Sequence, residues 1–431
     1  MTTEQITENA KAILLLCGRF GSGDNGVVKP LTTKEYDALA AWLRTKSWWP
    51  VDLLEESNLM TLRDPALPVK RERLEALLSR GTAMALAVEK WSNKGLWVIS
   101  RSDDDYPQRL KQNLKGNAPP ILYGAGDRML LSNGGLAVVG SRNVDEQGES
   151  FARNLGRHAA KCGMQLVSGA ARGVDEIAMH GAFSFGGTVV GVLADNLLIS
   201  AVSGKYREGL RDGKLALVST FIPEAGFSVG NAMSRNKYIY ALADYAVVVS
   251  ADHKKGGTWA GAEEELRNKD RHPVFVRIGT DVPRGNTELV KKGALPFPEE
   301  AWKEDLRDVL RRSSASVRST IEEEKSLSLD FLQTQSIPKA PNQTQTVQEK
   351  TAEYTLPKVV SVTVFDVVKP IILAALQKPM TSYELRKTLD VRKPQLQDWI
   401  KTLKAEGLVK MKTIRKSKKL MRVSPNEELP L

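Results

Sequence analysis

The stretch Leu166–Ala182, LVSGAARGVDEIAMHGA, decides how this chain is read. Four small turn residues, Ser168, Gly169, Ala171 and Gly173, separate an apolar run from a helix-like segment. A turn of that kind lets backbone approach a phosphate closely, with Asp175 placed to cap the helix that follows. The phosphate belongs either to a free nucleotide, as in an enzyme or sensor, or to a nucleic-acid backbone.

The surrounding sequence repeats the same arrangement. From Gly135 to about Phe297, strand-like runs such as LAVVG, MQLVSG, TVVGVLA, LALVSTF, YAVVVSA and PVFVRIG alternate with helix-like ones. These strands are continuously apolar and β-branched, which predicts an α/β fold built on a doubly wound parallel sheet covered on both faces. Ligands of such sheets sit beyond the C-terminal strand ends. Four loops fall there. Gly140, Ser141 and Arg142 follow LAVVG; Gly169, Arg172, Gly173 and Asp175 lie in the opening stretch. Arg235, Asn236 and Lys237 are expected at a helix start, and Lys254, Lys255, Gly256, Gly257 and Thr258 lead into another helix. Each loop alone reads as an ordinary strand-to-helix turn. Together, on one sheet edge with added cations, they predict an anion-binding rim.

Other chemistries find little support. Neither GxxxxGK[ST] nor GxGxxG occurs at these turns, which argues against a P-loop and a standard dinucleotide fingerprint. His158, His180, His253 and His272 are scattered without metal-ligand spacing, and Cys17 and Cys162 have no CxxC partner. No metal, cofactor or disulfide framework is expected. His180 is close enough to the glycine-rich loop to line the site but reads by preference as a helix-packing residue. No nucleophile triad or carboxylate pair stands out, so a binding role is favoured over catalysis. The start of the sequence lacks the basic and long apolar segments of a signal peptide, and no run has a membrane span's length, so a soluble cytoplasmic protein is expected.

The net charge of +11 is uneven. Between Pro370 and Val423 there are 14 Lys and Arg against 4 Asp and Glu. Helix-like VVKPIILAALQ, TSYELRKTLD and KPQLQDWIKTLKAEG precede LVKMKTIRKSKKLMRV, which reads as a hairpin with a basic tip. Three helices and a hairpin predict a winged helix, with Lys410, Lys412, Arg415, Lys416, Lys418 and Lys419 as its basic patch. The expected domains are a helical N-terminal module (1–94), the sheet domain (95–300), a Ser, Gln and Thr-rich flexible linker (301–357) and the winged helix (358–431).

Taken in order, VVGSRN, LVSGAARGVDEIAMHGA, SRNKYIYALAD and KKGGTWAGAEE resemble the DNA-processing protein DprA (Smf) family, with DDDYPQRL, APPILYGAG and NTELVKKGALPF extending the likeness over roughly residues 95–300. The resemblance implies an extended Rossmann-like sheet that binds single-stranded DNA as a homodimer and helps load the RecA recombinase, without catalysis. Carried over by motif, Ser141, Arg142, Ser168, Gly169, Arg172, Gly173, Asp175, Arg235, Asn236 and Lys237 line the DNA pocket. The family pattern places Phe-Pro shortly before the Arg-Asn pair. This chain has Ala232-Met233, leaving Phe227 upstream either as a substitute stacking surface or as a core residue. Two rivals remain. A phosphoribohydrolase or nucleotide sensor of lonely-guy type uses a similar rim with a PGGxGTxxE motif, but here Gly261 stands where its Glu is expected. The other is a transcription regulator led by the winged helix.

Overall fold

The computed structural model describes residues 6–20, 28–59, 64–268, 272–315, 364–376, 379–389, 393–414 and 417–422. Two compact units are present, Met1–Ser336 and Ile337–Leu431.

The first unit is organised by one nine-stranded sheet in the order β1-β2-β6-β5-β4-β3-β7-β8-β9. Its strands are β1 (Leu96–Ser100), β2 (Ile121–Gly126), β3 (Leu136–Gly140), β4 (Leu166–Ser168), β5 (Val189–Val192), β6 (Leu215–Ser219), β7 (Tyr245–Ser250), β8 (Val274–Val276) and β9 (Leu295–Pro296). From β6 to β9 every pairing is parallel, whereas β1 pairs β2 and β2 pairs β6 antiparallel. The expectation of a parallel doubly wound sheet therefore holds for seven strands and is corrected for two. The antiparallel β2 runs through ILYGAG, whose two glycines hid its strand character: Gly124 makes room for the Trp97 ring and Gly126 has φ +83° against the Leu215 carbonyl.

Alternate residues of each strand enter opposite cores, as a pleated strand requires. Leu136, Val138, Leu166, Val189 and Val247 face the N-terminal helices and the helices Glu146–Lys161 and Val174–Phe183. Ala137, Val139, Val167, Val190 and Val248 face the helices Val229–Leu242 and Gly256–Arg267. The N-terminal helices Glu8–Cys17, Thr33–Thr45, Arg71–Leu78 and Gly81–Ser92 belong to the first core through Ile13, Leu39, Leu74 and Trp91. Residues 306–315 are helical, and Leu306, Val309 and Leu310 are buried in that same core, so packed structure continues past residue 300.

The second unit holds the helices Val364–Ala375, Ser382–Leu389 and Lys393–Ala405, then an antiparallel hairpin of β10 (Val409–Ile414) and β11 (Ser417–Arg422). Met380 bridges Leu420, and Ile372, Leu385, Leu396, Ile400 and Leu403 form the core.

Chain order reverses beside β3. From it the sheet advances through β4, β5 and β6, then returns to β7 on the other side. The helices after β3 and β7 lie on opposite faces, so a crevice opens between the C-terminal ends of these two strands. The packing beneath it is tight. An added Cβ at Gly156 would run into the Ala178 carbonyl where the Glu146–Lys161 and Val174–Phe183 helices touch. Gly156→Ala is expected to cost about 1–3 kcal/mol of stability despite alanine's higher helix propensity. A urea midpoint that stays put or rises would show that these helices do not pack through that glycine.

Candidate nucleic-acid interface

The crevice is a cleft of about 530 Å³. Ser141 and Arg142 enter it from the turn after β3, Lys254 to Thr258 from the loop and helix start after β7, and Phe227, Arg235 and Asn236 from the segment between β6 and β7. Arg142, Phe227 and Arg235 also wall a second hollow of about 420 Å³, whose other side is Gly169 to Arg172.

Arg235 organises the floor. The sequence suggested a helix start at this residue. The helix begins earlier, at Val229, because the Ser228 side chain accepts from the Asn231 amide and caps it. Arg235 is therefore two turns into the helix, where its side chain is buried. It reaches under the opening stretch, donating from Nη1 to the Val192 carbonyl at 3.0 Å and lying 3.8 Å from Asp175 Oδ2. Gly169 is glycine because the guanidinium occupies the space of a Cβ. The left-handed backbone of the loop falls instead at Ala170 (φ 53°) and Gly173 (φ 91°), and an added Cβ at Gly173 would come 2.5 Å from the Ser141 carbonyl.

Asp175 does not cap its helix: Gly173 is the N-cap, and no side chain fills that role. The Asp175 carboxyl is buried facing Arg235 and the backbone amides of Gly140, Ala171 and Gly169. Burial pushes its pKa up to about 6, against the opposing pull of Arg235 and those amides. Burial likewise holds the Arg235 guanidinium below its usual value, and the nearby Arg142 charge adds to that. Two of the loop's amides, those of Gly169 and Ala171, thus face an internal carboxylate.

The outward face differs. Arg142 is exposed, with its guanidinium 4.8 Å from the centroid of the Phe227 ring, a cation–π distance. Phe227 is 54% exposed, so its place is the cleft wall and not the core. Lys254 and Lys255 are exposed at the start of the Gly256–Arg267 helix, whose N-cap carries no side-chain hydrogen bond. That helix end offers backbone N–H groups and a partial positive charge to an anion. Beneath them, Arg235 Nε and Tyr240 Oη are buried without a hydrogen-bond partner among the described residues. Two neighbouring guanidiniums and two unpaired polar atoms give the cleft a chemistry that suits an anion with acceptor oxygens.

Other expected residues serve as supports or stand apart. Ser168 is buried and donates to the Val138 carbonyl at 2.7 Å. Asn236 donates to the Gly257 carbonyl at 2.8 Å, tying two helices together. Arg172 donates to Asn143 Oδ1 at 2.5 Å on the rim of the second hollow. Lys237 lies over the Tyr238 ring and lines neither hollow. His180 is exposed, beside Ser184, and neither packs in the core nor reaches the cleft. Tyr240 and Trp259 also line the cleft, although in the sequence their apolar helical context reads as core. In the second unit Lys410 is exposed, whereas Arg415 and Lys416 lie outside the described residues. Lys412, Lys418 and Lys419 are placed only by their strand backbones. Among the described residues no group of three or more His, Cys, Asp or Glu side chains is placed to hold a metal ion, and no helix is long and apolar enough to cross a membrane.

Residues 97–306 match the family described as DNA recombination-mediator protein A. The chain is 24% identical over 264 residues to DNA processing protein DprA of Bacillus subtilis, covering 57% of this chain and 84% of that protein. It is 27% identical over 204 residues to protein Smf of Escherichia coli, covering 47% of this chain and 54% of that protein. The crystal structure of DNA processing protein A from Streptococcus pneumoniae superposes with a TM-score of 0.49 at 22% identity, covering 68% of this chain and 95% of that one.

The buried carboxyl gives a signed pH prediction. With its pKa raised from 3.8 to about 6, Asp175 binds its proton more tightly in the folded than in the unfolded chain. Its contribution to stability is therefore largest below about pH 4, declines as pH rises towards 6, and is flat above that. Asp175→Asn should flatten this part of the urea-midpoint profile measured from pH 4 to 7. An unchanged profile would place the titration elsewhere.

Proposed function

Residues 97–306 form a DprA (Smf) family domain, and from that premise we propose that this chain is a recombination mediator holding single-stranded DNA across the β3/β7 cleft. One observation carries the reading: the pairing of Arg142 with the exposed Phe227 over the buried Arg235. Guanidiniums and helix-end amides hold phosphates without regard to sequence, and an exposed ring offers stacking to a base. A base is free to stack there only when unpaired, which favours a single strand over a duplex.

A non-catalytic role accords with Gly261. A Cβ at this position would lie 3.0 Å from Asn236 Cβ, and a glutamate would have to displace the residue that ties the two helices together. The phosphoribohydrolase reading loses its carboxylate to that packing. Protection of the strand and loading of RecA by a homodimer, in transformation or related recombination, rest on the family alone. We read the second unit as a winged helix whose basic hairpin adds affinity: its helix order, its hairpin and the Met380–Leu420 bridge support this.

Binding of a fluorescent unstructured strand across a salt series tests the proposal. Arg142→Ala should weaken binding and reduce the slope of log affinity against log salt by about 0.7 for each phosphate the protein no longer neutralises. Phe227→Ala should weaken binding about five- to a hundredfold with the slope unchanged, as expected when a stacking surface is removed. Truncation after Pro357 should weaken binding without abolishing it. Preference for a free nucleotide, or for one duplex sequence with Arg142→Ala unaffected, would overturn the reading.

A further inference from the structure

The β1 end of the sheet carries a groove whose chemistry parallels that of the cleft. A hollow of about 310 Å³ lies between the Thr33–Thr45 helix and the turn after β1, lined by Tyr36, Asp37, Arg44, Arg101, Lys111 and Lys115 among others. It adjoins a hollow of about 410 Å³, with which it shares Tyr36, Ala40, Arg44 and Ser102, and which ends on Trp48 and Trp49. One half is cationic and the other aromatic.

The charges do not cancel. Arg44, Arg101 and Lys111 outnumber the single carboxylate, Asp37, which is engaged by Arg101 at 3.1 Å. The Arg101 guanidinium also lies 5.1 Å from the Tyr36 ring centroid, which holds it in place. At the other end Trp49 is 62% exposed, the largest exposed fraction of any tryptophan among the described residues. Its neighbour Trp48 packs edge-on against the buried Trp42, with centroids 5.9 Å apart, so the aromatic wall is anchored to the core. Lys115 (φ 51°) and Ser47 (φ 57°), one in each half, are non-glycine residues held in left-handed backbone, a cost that tends to concentrate at binding sites.

Topology aligns the groove with the cleft. Because β1 is antiparallel to β2 and β2 to β6, β1 runs parallel to the central strands. Arg101 follows its last residue and so lies at the sheet edge where Ser141 follows β3. Five strand spacings separate β1 from β3, about 24 Å along the rim.

We propose that this groove is a second contact for the same single strand, with Arg44, Arg101 and Lys111 facing its phosphates and Trp49 stacking on a base. The proposal rests on the single-strand reading of the cleft. It predicts a dependence on strand length, because only a strand long enough to span the rim reaches both sites.

The experiment compares oligothymidylates of about 6 and about 20 nucleotides, lengths bracketing the usual site sizes, on the full chain. Binding is read by fluorescence anisotropy, with mass by sedimentation. The wild type should bind the long strand more tightly than the short one. Trp49→Ala, and separately Arg44→Glu with Lys111→Glu, should weaken the long strand at least about fivefold and leave the short strand unchanged. Trp49→Phe should retain most of the long-strand affinity. Arg142→Ala should weaken both lengths, which marks the cleft independently. An unaltered long-strand affinity in the groove variants overturns the groove while the cleft stands. So does an equal weakening for both lengths, or a change in oligomeric mass with no change in binding, which would make the face an interface between copies. Failure of the wild type to bind either strand overturns both readings.

Discussion

A guanidinium buried beneath a turn is the constraint on which this architecture depends. Arg235 crosses under the loop after β4, fills the space a side chain at residue 169 would need, and lies beside a carboxylate that is itself buried. Neither charge is well placed on its own account. Desolvation pushes the acid up and the base down, so each is tolerated because the other is present. The consequence is a buried ion pair as the floor of the crevice between β3 and β7, with the exposed Arg142 cation on its wall. An anion bound above it would add the compensation that a single carboxylate at 3.8 Å leaves incomplete.

That constraint redistributes the work among the loops. The glycine-rich stretch, the obvious phosphate cradle, turns the Gly169 and Ala171 amides inward towards Asp175. The cleft is also lined by its neighbours: Arg142 after β3, the helix start after β7 with Lys254 and Lys255, and Phe227 on the segment leading into the Val229–Leu242 helix. Fixed supports such as Asn236 on Gly257 and Ser168 on Val138 hold these elements in register, so the site is set by packed helices and strands and not by loop chemistry alone.

Much of this was legible in the sequence for physical reasons. Doubly covered strands such as LAVVG and YAVVVS carry apolar residues on both faces, so their period and their place in a β-α alternation are visible without coordinates. The cations gather at the C-terminal strand ends because chain order puts them there. Burial was harder to read. Arg235, Asp175 and Ser168 look like site residues by type, yet each is buried against partners 30 or more positions away in sequence, or contributed by other strands and helices. Phe227 shows the reverse, an aromatic that composition assigns equally to core or surface until the fold leaves it beside Arg142. The antiparallel β2 was hidden by glycines that serve Trp97 and Leu215, neighbours that only the folded sheet supplies.

A single strand held in the β3/β7 cleft, as proposed, would set a base on Phe227. Photocrosslinking a 5-bromouracil-substituted single strand to the full chain, followed by peptide mapping, tests it most directly. Adducts are expected in the peptide containing Phe227, abolished in Phe227→Ala and competed away by unlabelled single strand but not by mononucleotides. Adducts confined to the 393–422 region, with the Phe227 peptide unmodified, would contradict it.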